Sequence, residues 1–238
     1  MKIVLNLILI LTFLNGYSIS DYDSGDSLYV LAFNGLIMHE KPNSNSELIL
    51  LVPYGERVTT LSAKSKLNTN PNSVVEIPSR TLNGKYIPEF RLKGEWCKVQ
   101  FKGNEGYVFD AYLSKLHPIE INESYFDYIE RNFKRLETQE EFDGIYQGKE
   151  MNLIRISYTS GISYYKNRFT SWGAESIVFP DSFEEAYLLF IANKINRENP
   201  IMEFYGKNEG NWEFYYDTGG IKLKEMAGFV IIENEWGN

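Results

Sequence analysis

Hydrophobic and polar positions alternate most regularly between Gly94 and Leu113, GEWCKVQFKGNEGYVFDAYL. Cys97, Val99 and Phe101 fall on one side of a period of two, with Trp96, Lys98 and Gln100 on the other, which predicts a half-buried strand. Lys102-Gly103-Asn104-Glu105-Gly106 turns the chain back into Tyr107-Val108-Phe109, a hairpin. If the Cys97 side faces the core, Trp96 opens onto the opposite face. Further strands are predicted at Leu28–Phe33, Gly35–His39, Leu48–Val52 and Arg57–Leu61, with a loop over 41–46 and a turn at Pro53-Tyr54-Gly55-Glu56. Between Ala63 and Gly94, Asn83-Gly84 separates the arms Val74–Arg80 and Lys85–Leu92. These predict an extra projecting hairpin, with Tyr86, Pro88, Phe90 and Leu92 on one face and Pro88 marking an edge.

From Ile119 the period lengthens. Phe126, Ile129, Phe133 and Leu136 share a helical stripe in Glu123–Leu136, with Asp127/Arg131 and Glu130/Lys134 spaced as ion pairs and Asn122 or Ser124 as the cap. This is expected to be a connector helix within 118–140. Leu153–Tyr158 and Ile162–Tyr165 flank the turn Thr159-Ser160-Gly161, and Ser176–Phe179 is a further strand. Ser182-Phe183-Glu184-Glu185 has the form of a capping box and opens a helix to about Asn196, with Phe183, Ala186, Tyr187, Phe190 and Ile191 inward. Ile201–Tyr205, Trp212–Tyr216, Ile221–Glu225 and Phe229–Glu233 follow as a meander. Residues 141–238 are thus expected to form an antiparallel α+β domain.

Composition and address narrow the class. The chain has 238 residues, 15% of them aromatic, and a formal net charge of −8. With no basic run, nucleic acid is not an expected partner. Residues 1–20 carry Lys2, the apolar run Ile3–Leu14, and small residues Ser18 and Ser20 before Asp21, the layout of a secretory signal peptide. An uncleaved N-terminal anchor is the alternative; no other segment is expected to span a membrane. The expected location is therefore secreted or periplasmic, with no cysteine placed for a lipid anchor. Residues 21–27 are expected to be a mobile terminus, since Asp21–Asp26 lacks the order of a calcium loop. The only cysteine, Cys97, reads as a small core residue. Charge divides between the halves: residues 28–117 carry 11 Lys and Arg against 8 Asp and Glu, residues 119–238 carry 12 against 21.

Four motifs occur in order: Gly35–Pro42 (GLIMHEKP), Tyr54–Val58 (YGERV), Gly94–Val99 (GEWCKV), and Gly106–Val108 with Tyr112-Leu113. Together they resemble a bacterial SH3 (SH3b) domain over roughly Leu28–His117. The resemblance implies a small β-barrel, here with an insert over 64–93, in an extracytoplasmic protein associated with the cell wall. It also implies an aromatic groove in which Trp96, Phe109 and Tyr112 bind an extended peptide. His39 and Glu40 stand near the position where the family pattern carries an arginine, so His39 joins the candidate ligand-binding residues. The alternative is that the insert or the C-terminal domain covers Trp96.

Candidate catalysis finds little purchase. A cysteine peptidase needs a thiolate beside an imidazole, but Cys97 points inward, and His39 and His117 both lie in or beside the first domain. The C-terminal half has neither Cys nor His, which also excludes a Ser-His-Asp site there. Two histidines argue against a His-rich zinc site. Asp217-Thr218-Gly219 matches an aspartic-protease triplet, but it occurs once, near the end of the chain, and reads as a turn. No phosphate loop or dinucleotide motif occurs, and no metal or cofactor is expected. Tyr164, Tyr165, Trp172, Trp212, Tyr215 and Tyr216 are either sheet packing or a carbohydrate-stacking surface. The expected function is non-catalytic binding of a cell-wall peptide, peptidoglycan or an envelope protein. The alternatives are a C-terminal enzyme using paired carboxylates and a protein–protein adaptor.

Overall fold

The computed structural model describes residues 22–64, 72–82, 85–120, 122–146, 149–169, 172–180, 183–192, 203–208, 211–216, 219–226 and 229–237. The chain is mostly β, with antiparallel sheets and a few short helices. Its first half contains β1 (Ser27–Val30), β2 (Leu36–His39), β3 (Leu48–Val52), β4 (Arg57–Thr60), β5 (Asn72–Ile77), β6 (Arg80–Leu82), β7 (Lys85–Ile87), β8 (Phe90–Gly94), β9 (Trp96–Phe101), β10 (Asn104–Phe109) and β11 (Leu113–Ser114). Seven of these form one sheet in the order β11-β1-β4-β9-β10-β2-β3, and among the described residues no sheet closes on itself.

The alternation in β9 sets that sheet's core. Cys97, Val99 and Phe101 are buried together with Leu28, Val30, Met38, Val52, Val58, Val108 and Leu113. Gly106 lets β10 approach β2 closely, because a Cβ there would lie 2.5 Å from Met38 Cγ and 2.8 Å from the His39 carbonyl oxygen. Residues 22–26 are not the loose terminus that composition predicts. Tyr22 is buried, bridges to Lys64, and donates its hydroxyl to Asp110 Oδ2 at 2.9 Å. Asp110 is fully buried; Lys64 Nζ pairs with it at 2.7 Å and the Glu95 amide donates to its other oxygen at 2.6 Å. That buried charge is matched by a cation and saturated by donors, the condition under which a carboxylate tolerates burial.

The insert is a hairpin, β5 against β8 and β6 against β7, broken at Pro78-Ser79 and Pro88-Glu89. The break at Pro88 resets the alternation, so Phe90 and Leu92 are buried while Tyr86 is 66% exposed. The base of the hairpin does not project. Phe90 packs against Tyr187 with ring centroids 4.4 Å apart, and against Trp212 at 4.9 Å.

The second half comprises α1 (Tyr125–Asn132), β12 (Arg135–Tyr146), β13 (Lys149–Tyr158), β14 (Ser163–Phe169), β15 (Trp172–Phe179), α2 (Phe183–Tyr187), β16 (Glu203–Asn208), β17 (Asn211–Tyr216), β18 (Gly219–Met226) and β19 (Phe229–Gly237). Its eight strands form one antiparallel sheet, β12-β13-β14-β15-β19-β18-β17-β16. In register across it run Ile156, Tyr164, Ile177, Ile232, Leu223 and Trp212, a single apolar row. Onto this sheet packs α2, continued by one π-helical turn, Leu188–Ala192.

Two helix expectations are corrected. Ser124 caps α1 by accepting the Asp127 amide, but the helix stops at Asn132; Phe133 is extended and Leu136 lies in β12. Arg131 pairs with Glu123 at 2.7 Å and Glu130 with Arg135 at 2.7 Å, in place of the predicted helical pairs. In the second helix Ala186, Tyr187, Phe190 and Ile191 are buried as expected, but so is every other residue from Glu185 to Ala192; Ser182 and residues 193–196 lie outside the described residues. The buried segment lies between the eight-stranded sheet and β8, and Glu185 accepts a hydrogen bond from Ser114 of β11. One continuous core thus runs from Leu31, Phe90, Leu92, Phe109 and Ala111 into the second half.

Candidate functional site

Strand register places the candidate aromatic residues side by side. Trp96 opens β9 and stands directly opposite Phe109, the last residue of β10. A single 3-10 turn over Asp110–Tyr112 follows, anchored by buried Asp110, and brings Tyr112 round to the same side. His39 ends β2, opposite Tyr107 of β10. The rings form a chain: His39 meets Trp96 edge-on at 5.4 Å between centroids, Trp96 meets Phe109 at 5.8 Å, and Phe109 meets Tyr112 at 6.4 Å. Such tilted contacts match the edge-to-face preference of aromatic quadrupoles.

All four side chains line one pocket of about 370 Å³, within the size range of small-ligand sites. Its other walls are Leu31–Ile37, running from the β1–β2 connection into β2, Glu76 of β5, and Leu188 and Ala192 of the π-helical turn. Trp96 is half-buried and packs against the core shared by both halves. The insert and the second half therefore shape the pocket without filling it.

Three of its polar side chains are held in place. His39 is only 8% exposed, and its Nδ1 lies 3.1 Å from the Ser46 carbonyl oxygen. A carbonyl only accepts, so Nδ1 carries the hydrogen and Nε2 is the acceptor in the neutral ring. Tyr112 donates its hydroxyl to Glu76 Oε2 at 2.7 Å. Burial pushes the Glu76 carboxyl above its ordinary value, and the Tyr112 hydrogen bond only partly offsets that. Burial and then the Glu76 charge hold the Tyr112 phenol well above its usual range. The ladder between β5 and β8 slips between Val75 and Ile77, so Glu76 occupies a bulge. A bulge re-aims a side chain, which is how a carboxylate from the insert comes to face the aromatic wall.

Other candidate groups lie elsewhere. Cys97 is in the first core, its Sγ 3.8 Å from Ser62 Oγ, and burial pushes the thiol upward. His117 stacks on Tyr29 and meets Arg131. Asp217 and Thr218 lie outside the described residues, as does the 1–20 segment; Gly219 begins β18. In the second half, Glu175 accepts from Tyr164 at 2.7 Å and from Asn234 at 2.8 Å, while Glu185 accepts from Ser114. Among the described residues no three His, Cys, Asp or Glu side chains are grouped to hold a metal ion, and no helix is long and apolar enough to cross a membrane.

Sequence reasoning missed Glu76, Leu188 and Ala192. Glu76 carries no local signal, because it faces the pocket through a bulge in β5. Nothing local marks Leu188 or Ala192, which reach the pocket only because the two halves pack together. Compared with models of protein families, with curated proteins and with solved structures, the chain matches none.

Proposed function

We propose that this is a non-catalytic extracytoplasmic binding protein whose first half is an SH3b-like domain, and that its pocket holds a cell-wall or envelope peptide. One observation carries the proposal: Trp96, Phe109, Tyr112 and His39, the candidate ligand-binding residues of the sequence, line a single pocket. Rigid aromatic walls beside a few oriented polar groups suit an extended peptide. The pocket also has an apolar ledge. Ile37 lines it while remaining 41% exposed, and its cross-strand partner Leu51 is 51% exposed. A peptide seated on Trp96 has apolar surface there to continue along.

The alternative is an enzyme using paired carboxylates in the second half; the described lining of this pocket holds one carboxylate, Glu76. The test is a pull-down with the mature chain against purified peptidoglycan and envelope extracts, with free stem peptides as competitors. Retention that the peptides displace supports the proposal. Retention of neither peptidoglycan nor an envelope peptide rejects it.

A further inference from the structure

We propose that the pocket's occupant presents a primary ammonium on an aliphatic side chain, as lysine does, to Glu76. This rests on the pocket being the binding site and adds the chemical class that fills it.

Glu76 is the only carboxylate among the described lining residues, and its one hydrogen-bond partner is a neutral phenol, Tyr112. Among the described residues no cation pairs with it. The contrast with Asp110 is direct, since that carboxylate is buried with Lys64 at 2.7 Å and two further donors. A carboxylate withdrawn from water and left without a cation is costly to the free protein. It becomes an asset only if something arriving from outside supplies the charge.

The rest of the lining selects which cation. Trp96, Phe109 and Tyr112 line the pocket, and aromatic rings attract a desolvated ammonium through their quadrupoles. Leu31, Leu36, Leu188 and Ala192 give a methylene stem something to pack on. A guanidinium fork is best met by two parallel acceptors. Here Glu76 Oε2 already accepts from Tyr112, so a fork would have to share that oxygen, whereas a point charge can take Oε1 alone. A peptide's own α-ammonium adjoins backbone amides, which would bring polar groups against these apolar walls.

The test is calorimetric titration of the full mature chain with four probes. They are a capped alanine pentapeptide with central lysine, its norleucine and arginine analogues, and uncapped pentaalanine. The lysine peptide is expected to bind about tenfold or more tighter than the norleucine peptide, the scale of a desolvated charge pair. Glu76→Gln, which keeps an acceptor for Tyr112, is expected to erase that preference. Glu76→Asp, which keeps the charge on a shorter arm, should retain part of it. Circular dichroism melts confirm that each variant is folded. Equal binding of the lysine and norleucine peptides, or a preference that survives Glu76→Gln, overturns the inference. So does tighter binding of the arginine or uncapped probe, or no binding of any probe at millimolar concentration. The failures separate through Trp96→Ala. If that change weakens retention on envelope material while Glu76→Gln does nothing, the pocket stands and the ammonium falls. If Trp96→Ala changes neither retention nor peptide affinity, the pocket itself is not the site.

Discussion

Replacing Phe90 with alanine is expected to destabilise the whole chain by about 4 kcal/mol, within the range for deleting a buried phenylalanine ring. Phe90 is fully buried at the base of the inserted hairpin, where it touches Tyr187 and Phe183 of α2 and Trp212 of β17. Collapse into the vacated space is obstructed, because α2 rests on the eight-stranded sheet and β8 is pinned to β5 by its ladder. The estimate therefore sits mid-range. With a urea m-value of roughly 3 kcal/mol/M for a chain of this size, the unfolding midpoint should fall by about 1.3 M. Tyr86→Ala is the matched control: an aromatic of the same hairpin, 66% exposed, whose loss should change stability by no more than about 0.5 kcal/mol. Urea titrations followed by far-ultraviolet circular dichroism measure both. A Phe90→Ala shift under about 0.3 M, or equal shifts for the two variants, would refute the claim that the insert is an internal wedge between the halves.

Glu76→Gln should raise stability at neutral pH. A carboxyl whose folded pKa lies above its unfolded value binds its proton more tightly when folded, so Glu76 costs stability as pH rises through that interval. Thermal melts should show the gain above the interval and none below it; a loss at neutral pH would contradict the assignment. The Cys97 thiol, buried and pushed upward, should react with a disulfide reagent at mildly alkaline pH only as fast as the protein opens. Immediate reaction of the folded chain would place it at the surface. N-terminal sequencing of protein recovered outside the cytoplasm should begin near Asp21, whereas a chain retaining Met1 would contradict cleavage after Ser20.

Legibility followed locality. The alternation at Cys97, Val99 and Phe101 foretold the burial of β9, and Asn83-Gly84 lies between β6 and β7. Gly-containing turns marked the β16–β19 meander, because period and turn chemistry are written in neighbouring residues. What failed depends on distant partners. The helical stripe through Phe133 and Leu136 is genuine as a pattern. Yet Arg135–Tyr158 pairing draws that stretch into β12, and tertiary pairing overrides helix periodicity. Glu185 has the place of a capping-box residue in the sequence, yet it is buried, where Ser114 of β11 donates to it. Glu76 faces the pocket through a one-residue bulge that composition does not encode. The pocket's aromatic side was visible in the sequence; its carboxylate and its far wall were not.

Trp96→Ala tests the central claim most directly, because the half-buried ring both lines the pocket and packs on the shared core. Affinity for a peptidoglycan-derived peptide fraction and the urea midpoint should be measured on the same preparation. The account predicts a loss of binding of about 2 kcal/mol or more, as for a central aromatic anchor. It also predicts a stability loss of only about 1–2 kcal/mol, since part of the ring faces the pocket. Undiminished binding alongside a stability loss of roughly 3–5 kcal/mol, the cost of a fully packed core ring, would contradict it.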